Sequence, residues 1–173
     1  MLYSEIVIPV LEKEYRMHIR RYSPNDISEI TELFYNTVHT INLRDYSFAE
    51  VDAWAPENID KAAWNRRLSE NFTVVAEQDG TIIGFASLAY KGYYDLLYVH
   101  RDCQGQGIAT ALTNVIESEA VSYGISELTA DVSITAKPFF EKEGYEVIGK
   151  QSVERKGQLL TNYKMRKELI WFL

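Results

Sequence analysis

The stretch Val99–Thr110, VHRDCQGQGIAT, decides the fold. An apolar run, YYDLLYV, ends at its first residue, and a helix-like run, IATALTNVIESEAVSYG, begins inside it. Gly105 and Gly107 therefore stand between a strand and a helix, one residue apart. The first N–H groups of a helix have no intrahelical partner, and the helix dipole places partial positive charge there. Glycines let the chain turn sharply and let an anion approach without a Cβ in the way. Gln104, Gly105, Gln106, Gly107, Ile108 and Ala109 thus offer a curved row of amides, and Thr110 adds a hydroxyl. No lysine follows, so this is not a P-loop. Thr110 stands where a dinucleotide fingerprint needs its third glycine, so that reading fails as well.

Outward from this loop the chain alternates between two periods. RMHIRRY (Arg16–Tyr22) reads as a first strand, and Ser23-Pro24 as the start of a helix carrying Ile27, Ile30, Leu33, Phe34 and Val38. SFAE (Ser47–Glu50) has capping-box form, Pro56 stops that helix, and Asn58 is read as the cap of the next, IDKAAWNRRLSE. FTVVAEQ and TIIGFASLA are strands joined by Asp79-Gly80, a hairpin signal. YYDLLYV follows as a strand, then a helix from about Gly107 to Tyr123 with Gly124 at its end. SELTADVS, AKPFFEKE, YEVIGKQSV and QLLTNYKMRKEL read as strand, helix, strand and strand, with Arg155-Lys156-Gly157 as the last turn. The expected fold is a mixed α/β (α+β) domain around one sheet. The apolar tail IWFL (Ile170–Leu173) is expected to pack on its own domain or to serve a subunit contact, which leaves a homodimer open.

Bulk composition sets limits. A chain of 173 residues, 46% hydrophobic and 25% charged, is expected to form one soluble domain spanning 1–173. The net charge of −7 and the lack of a basic block exclude nucleic acid as an electrostatic partner and favour a neutral or cationic one. One cysteine, Cys103, allows no internal disulfide. No basic-then-apolar leader and no run of membrane-spanning length appear, so no membrane partner and a cytoplasmic location are expected. Three scattered histidines and one cysteine give no metal-ligand spacing, and no metal is expected.

LLYVHRDCQGQGIATALTNVIESEA resembles the acetyl-CoA-binding motif of the GNAT superfamily, the GCN5-related N-acetyltransferases. GTIIGFASLA before it and ELTADVSITAKPFFEKEGYEVIGK after it extend the resemblance over Phe72 to about Lys167. The resemblance implies a mixed sheet of six to seven strands flanked by helices, with splayed central strands forming the CoA cleft. It implies an acetyl-CoA-binding core at about 72–168 and acceptor-side helices at about 24–70. The amides of Gln104 to Thr110 are expected to hold the CoA pyrophosphate. Backbone groups of Leu97, Tyr98 and Val99 are expected to meet pantetheine, with Ser133 and Lys137 touching CoA. Asp102 departs from the family pattern, which has Gln or Arg there, and is expected to turn to solvent.

The implied chemistry is direct acetyl transfer from acetyl-CoA to an amine. The tyrosine that protonates the leaving thiolate in many family members is replaced here by Phe140, in FEKEGY (Phe140–Tyr145). Tyr145 is expected in the core. Asp95 is the leading candidate base, since some family members carry a catalytic glutamate nearby; a mere turn residue is the alternative. His39, near the acceptor side, is the second candidate, since imidazole is a common general base. Tyr46 and Trp54, among nearby acids, could bind a cationic acceptor. Two other readings stay open: a sensor that holds acyl-CoA without turnover, and a partner-binding module. An open or a plugged acceptor side separates the first from the enzyme.

Overall fold

The computed structural model describes residues 17–169. Seven strands form one sheet in the order β1-β2-β3-β4-β5-β7-β6. They are β1 (His18–Arg21), β2 (Phe72–Gln78), β3 (Thr81–Ala89), β4 (Tyr93–Val99), β5 (Glu127–Ser133), β6 (Glu146–Arg155) and β7 (Gln158–Glu168). Five helices flank them: α1 (Ile27–Val38), α2 (Phe48–Trp54), α3 (Lys61–Glu70), α4 (Ile108–Ser122) and α5 (Lys137–Lys142). Neighbouring strands are antiparallel except β4 and β5, which are parallel.

Local chemistry accounts for most boundaries. Asp79 and Gly80 both take positive φ, 53° and 76°, the turn that a two-residue hairpin needs. Ser47 and Glu50 cap α2 reciprocally: Ser47 N donates to Glu50 Oε2 at 2.8 Å and Glu50 N donates to Ser47 Oγ at 3.2 Å. Asp60, not Asn58, caps α3, because its carboxylate accepts from Ala63 N at 2.9 Å. Residues 24–26 form a tight 3-10 turn, and α1 proper starts at Ile27. The tail Ile170–Leu173 and Arg16 lie outside the described residues.

From β2 to β5 the sheet buries both faces, whereas the edge strand β6 is largely exposed. On one, α4 and α5 cover Val74, Ala86, Tyr94, Leu128, Ala130 and Val132. On the other, Ile30, Leu33 and Phe34 of α1, with Val51 and Leu68, cover Val75, Phe85, Leu96 and Leu160. Gly84 is what lets α4 press on β3. A Cβ there would stand 3.0 Å from Ile108 Cγ2 and 3.1 Å from Leu112 Cδ1.

One irregularity in β4 shapes everything that follows. Ser87 pairs with Leu96 and Leu88 with Tyr94, so Asp95 is an extra residue, a β-bulge. The bulge resets the side-chain alternation. Tyr94 packs on the α4 face, whereas Leu96 packs on the α1 face. Beyond the bulge the strand bends away from β5, and the two share a single registered pair, Tyr93 with Thr129.

Candidate functional site

The parting of β4 and β5 opens a cleft of about 510 Å³. Leu97, Tyr98 and Val99 form one wall, Ala130 to Ser133 the other, and Gln104, Gly105, Gly107, Ile108, Ala109 and Thr110 the end. Because His100 N donates to Ile83 O, strand alternation turns the backbone of Tyr98 toward β3 and that of Leu97 and Val99 toward the cleft. The expectation of three consecutive backbone partners thus narrows to two. Val99 O already accepts from Thr37 Oγ1 at 3.0 Å and Gln104 Nε2 at 2.8 Å, which leaves the Leu97 amide and carbonyl and the Val99 N–H open.

Gly105 and Gly107 take φ of 70° and 79°, and a Cβ on either would meet nothing within 4 Å. Their requirement is one of backbone conformation, not space. Ala111 N is the first to find a carbonyl inside α4, that of Gly107, so the N–H groups of Ile108, Ala109 and Thr110 face the cleft end without intrahelical partners. Thr110 Oγ1 donates to Glu143 Oε1 at 2.8 Å. Gln106 is exposed and outside the lining. The Asp102 side chain is 77% exposed and turned to solvent. Cys103 borders the cleft, and burial, with Asp102 beside it, pushes its thiol pKa up, which opposes a nucleophilic role. Thr135 Oγ1, also in the wall, is buried without a hydrogen-bond partner.

A second cleft of about 520 Å³ meets the first on the α1–α3 side of the sheet. The two share Trp54, Asp95, Leu96, Tyr98, Asp131 and Ser133. The bulge is the reason that Asp95 and Leu96, adjacent in sequence, both face this junction. The Asp95 side chain is only 7% exposed. It accepts from Arg67 Nε at 2.7 Å, from Arg67 Nη2 at 2.5 Å and from Asn71 Nδ2 at 3.1 Å. Asn71 also donates to Ser87 Oγ, which bonds Thr73 Oγ1, so a polar network under the bulge holds the carboxylate in place. Asp131 accepts from Tyr93 Oη at 2.8 Å and Gln151 Nε2 at 2.7 Å. Tyr98 stacks on Phe85 and stands edge-on to Phe34. Burial raises its phenol pKa, against the opposing effects of the neighbouring Trp54 indole and of the Arg67 and Arg155 charges.

The other anticipated residues divide. Trp54 and Ser133 are at the junction, and Ser133 Oγ accepts from Ala136 N at 3.0 Å. Tyr46 lines the second cleft, but its hydroxyl is committed: it donates to Thr161 O at 2.6 Å and accepts from Ile134 N at 2.9 Å. Lys137 lines neither cleft; it pairs with Glu141 at 2.7 Å and lies over the Tyr163 ring. His39 lines neither cleft. Its Nδ1 lies 2.9 Å from Tyr35 O and its Nε2 2.9 Å from Asp52 Oδ1, so both ring nitrogens face acceptors outside the site. Phe140 is buried against Tyr94 and Tyr145, whose hydroxyls bond Thr113 and Glu117, so no tyrosine near it is free to stand in. Arg67, Asp131 and Asn162 are site residues that the sequence reading missed. Asp131 alone left a signal, since it falls between Ala130 and Val132, which point to the opposite face. Among the described residues, no cluster of three His, Cys, Asp or Glu suits a metal ion, and no helix is long and apolar enough to cross a membrane.

A family model described as an acetyltransferase (GNAT) domain matches residues 42–167. The chain is 36% identical over 151 residues to the uncharacterized N-acetyltransferase YafP of Escherichia coli K12, covering 87% of this chain and 95% of that one. A GCN5-related N-acetyltransferase from Rhodopseudomonas palustris superposes with a TM-score of 0.86 at 35% identity, covering 88% of this chain and 96% of that one. The PaiA N-acetyltransferase of Thermoplasma acidophilum, solved with coenzyme A, shares the fold with a TM-score of 0.73 at 20% identity, over 88% of this chain and 99% of its own.

Proposed function

The chain belongs to the GNAT acetyltransferase family, and on that premise we propose that it moves an acetyl group from acetyl-CoA directly to the primary amine of an acceptor held in the second cleft. The observation that carries the reading is the free edge of β4, which ends in a loop of unengaged amides and meets a second cleft at Asp95.

The residues fit acetyl-CoA in three ways. Positive-φ glycines and the start of α4 suit the pyrophosphate. The open Leu97 carbonyl and Val99 N–H suit the pantetheine amides, as an added strand would. The orphaned Thr135 Oγ1 suits a further polar group of that arm. The thioester then lies near the bulge, where the Leu97 N–H is aimed at the carbonyl oxygen as negative charge develops on it. The neutral amine attacks the carbonyl carbon, the C–S bond breaks, and the amine loses a proton. We assign that proton to Asp95, fixed by Arg67 and Asn71. The proton for the thiolate is assigned to Tyr98, a residue that lines both clefts, since Phe140 has none to give. The openness of the second cleft favours turnover over the alternative of a sensor.

The test is release of free thiol from acetyl-CoA against a panel of amines, with acetyl-CoA binding followed by calorimetry. Asp95→Asn is expected to lower kcat by about 10²-fold, in line with loss of a general base, and to leave acetyl-CoA affinity unchanged. Tyr98→Phe is expected to lower kcat less, because a thiolate leaves readily. Undiminished kcat in Asp95→Asn removes it as the base; absence of acetyl-CoA binding overturns the reading.

A further inference from the structure

The second cleft has a polarity that no step above uses. At its inner end, shared with the acetyl-CoA cleft, the charged groups are Asp131 and Asp95, the latter with Arg67 bound to it. Asn162, on the same wall, has its Oδ1 buried without a hydrogen-bond partner. A buried acceptor left empty is costly, and an N–H donor satisfies it. At the outer end stand Arg155 and Lys156, at the turn between β6 and β7. Neither enters an ion pair among the described residues. The third cation of the cleft, Arg67, is already taken by Asp95. The remaining acid, Asp60, caps α3.

Strand register fixes how these ends relate. Gln151 pairs with Asn162, Val153 with Leu160 and Arg155 with Gln158, so alternate pairs put Asn162, Leu160, Val153 and Arg155 on one face. Along the cleft floor this reads as an empty acceptor, an apolar stretch and a cation. Four residues of strand separate the ends, about 13 Å between Cα positions, and the long Arg155 side chain can span part of that. Arg155 is exposed at this end and lines the cleft.

We infer that the acceptor is a small zwitterion, with an amine that enters toward Asp95, Asp131 and Asn162 Oδ1 and an anionic group that binds Arg155 and Lys156. This inference rests on the acetyltransferase reading and names its substrate class. It also revises what net charge alone suggests. A chain of charge −7 favours a simple cation, but the site pairs acids at the reacting end with bases at the mouth.

The experiment pairs amines that differ only in the anion: straight-chain ω-amino carboxylates of graded length, and α-amino acids, each against its carboxamide and against the plain amine. Thiol release gives kcat/KM for each. The anionic member is expected to be favoured by about tenfold or more, the size of a charge-assisted hydrogen bond in a partly exposed site. Rising salt should shrink the preference, since the cations are at the mouth. In the Arg155→Gln, Lys156→Asn double variant the ratio of anionic to anion-free kcat/KM should fall toward one, through KM. Asparagine is chosen at 156 because that residue sits at φ 46°, which Asn tolerates. Arg155→Lys should retain part of the preference. Equal or better turnover of the anion-free partners, a preference that survives the double variant, or no release from any member despite bound acetyl-CoA each overturns the inference. Failure to bind acetyl-CoA in calorimetry on the same samples instead overturns the acetyltransferase reading beneath it.

Discussion

Asp95 owes its position to a single extra residue. In an unbroken strand it would alternate with Leu96 across the sheet; the bulge brings both to the junction of two clefts, and Arg67 and Asn71 lock the carboxylate there. As a lone acid inside an apolar run it stood out in the sequence. Its partners did not, because Arg67 is 28 positions away on another element. His39 illustrates the reverse. A suitable side chain in the expected region is turned toward Tyr35 and Asp52 instead. Cys103 provides a probe at this scale. Burial, reinforced by Asp102, raises its pKa, so the reactive thiolate forms at higher pH than in a free thiol. Its alkylation rate is expected to climb only above the usual thiol range, about pH 8.5, and saturating acetyl-CoA is expected to slow it several-fold. Mass spectrometry of the single site reads both effects. Alkylation as fast as a free peptide thiol, or unaffected by acetyl-CoA, would contradict the burial of Cys103 at that cleft.

Among the elements, α4 matters most, because its first turn carries the unpartnered amides at the cleft end and its flank closes on β3. Its limits were legible in the sequence to within a residue, as were those of β2, β3 and β4. Periodicity and glycine placement act locally, and these elements obey them. The closeness of its approach was not legible. It depends on Gly84, which leaves room for Ile108 and Leu112. Gly84→Ala places a methyl against both side chains and 3.1 Å from Tyr98 O. We expect stability to fall by about 1–2 kcal/mol in urea unfolding, as overpacking outweighs the loss of glycine flexibility. Acetyl-CoA affinity should fall with it, because Ile108 opens the helix that carries the loop. Unchanged stability and affinity would mean that α4 does not bear on β3 at this point.

At the scale of the molecule, the sheet is continuous at both ends and split in the middle, where β4 and β5 share one registered pair. A ligand whose amides fill that gap should knit the halves together. At a hundredfold excess over Kd, acetyl-CoA is expected to add about 2.7 kcal/mol of stability, hence a Tm rise of roughly 5–10 °C for a domain of this size. The amides of Leu97 and Val99 should exchange with deuterium more slowly in its presence. Neither change occurring would place acetyl-CoA elsewhere. Read alone, the sequence determined the order of strands and helices, the Asp79-Gly80 turn, the glycine loop at the start of α4 and the family, because each depends on residues that are neighbours in the chain. Only the tertiary structure decided that β4 bulges at Asp95, that Tyr98 turns its backbone to β3, and that Asn162 and Arg155 share a cleft with Asp95. Those facts follow from register and packing between segments far apart in the chain, which no local period encodes.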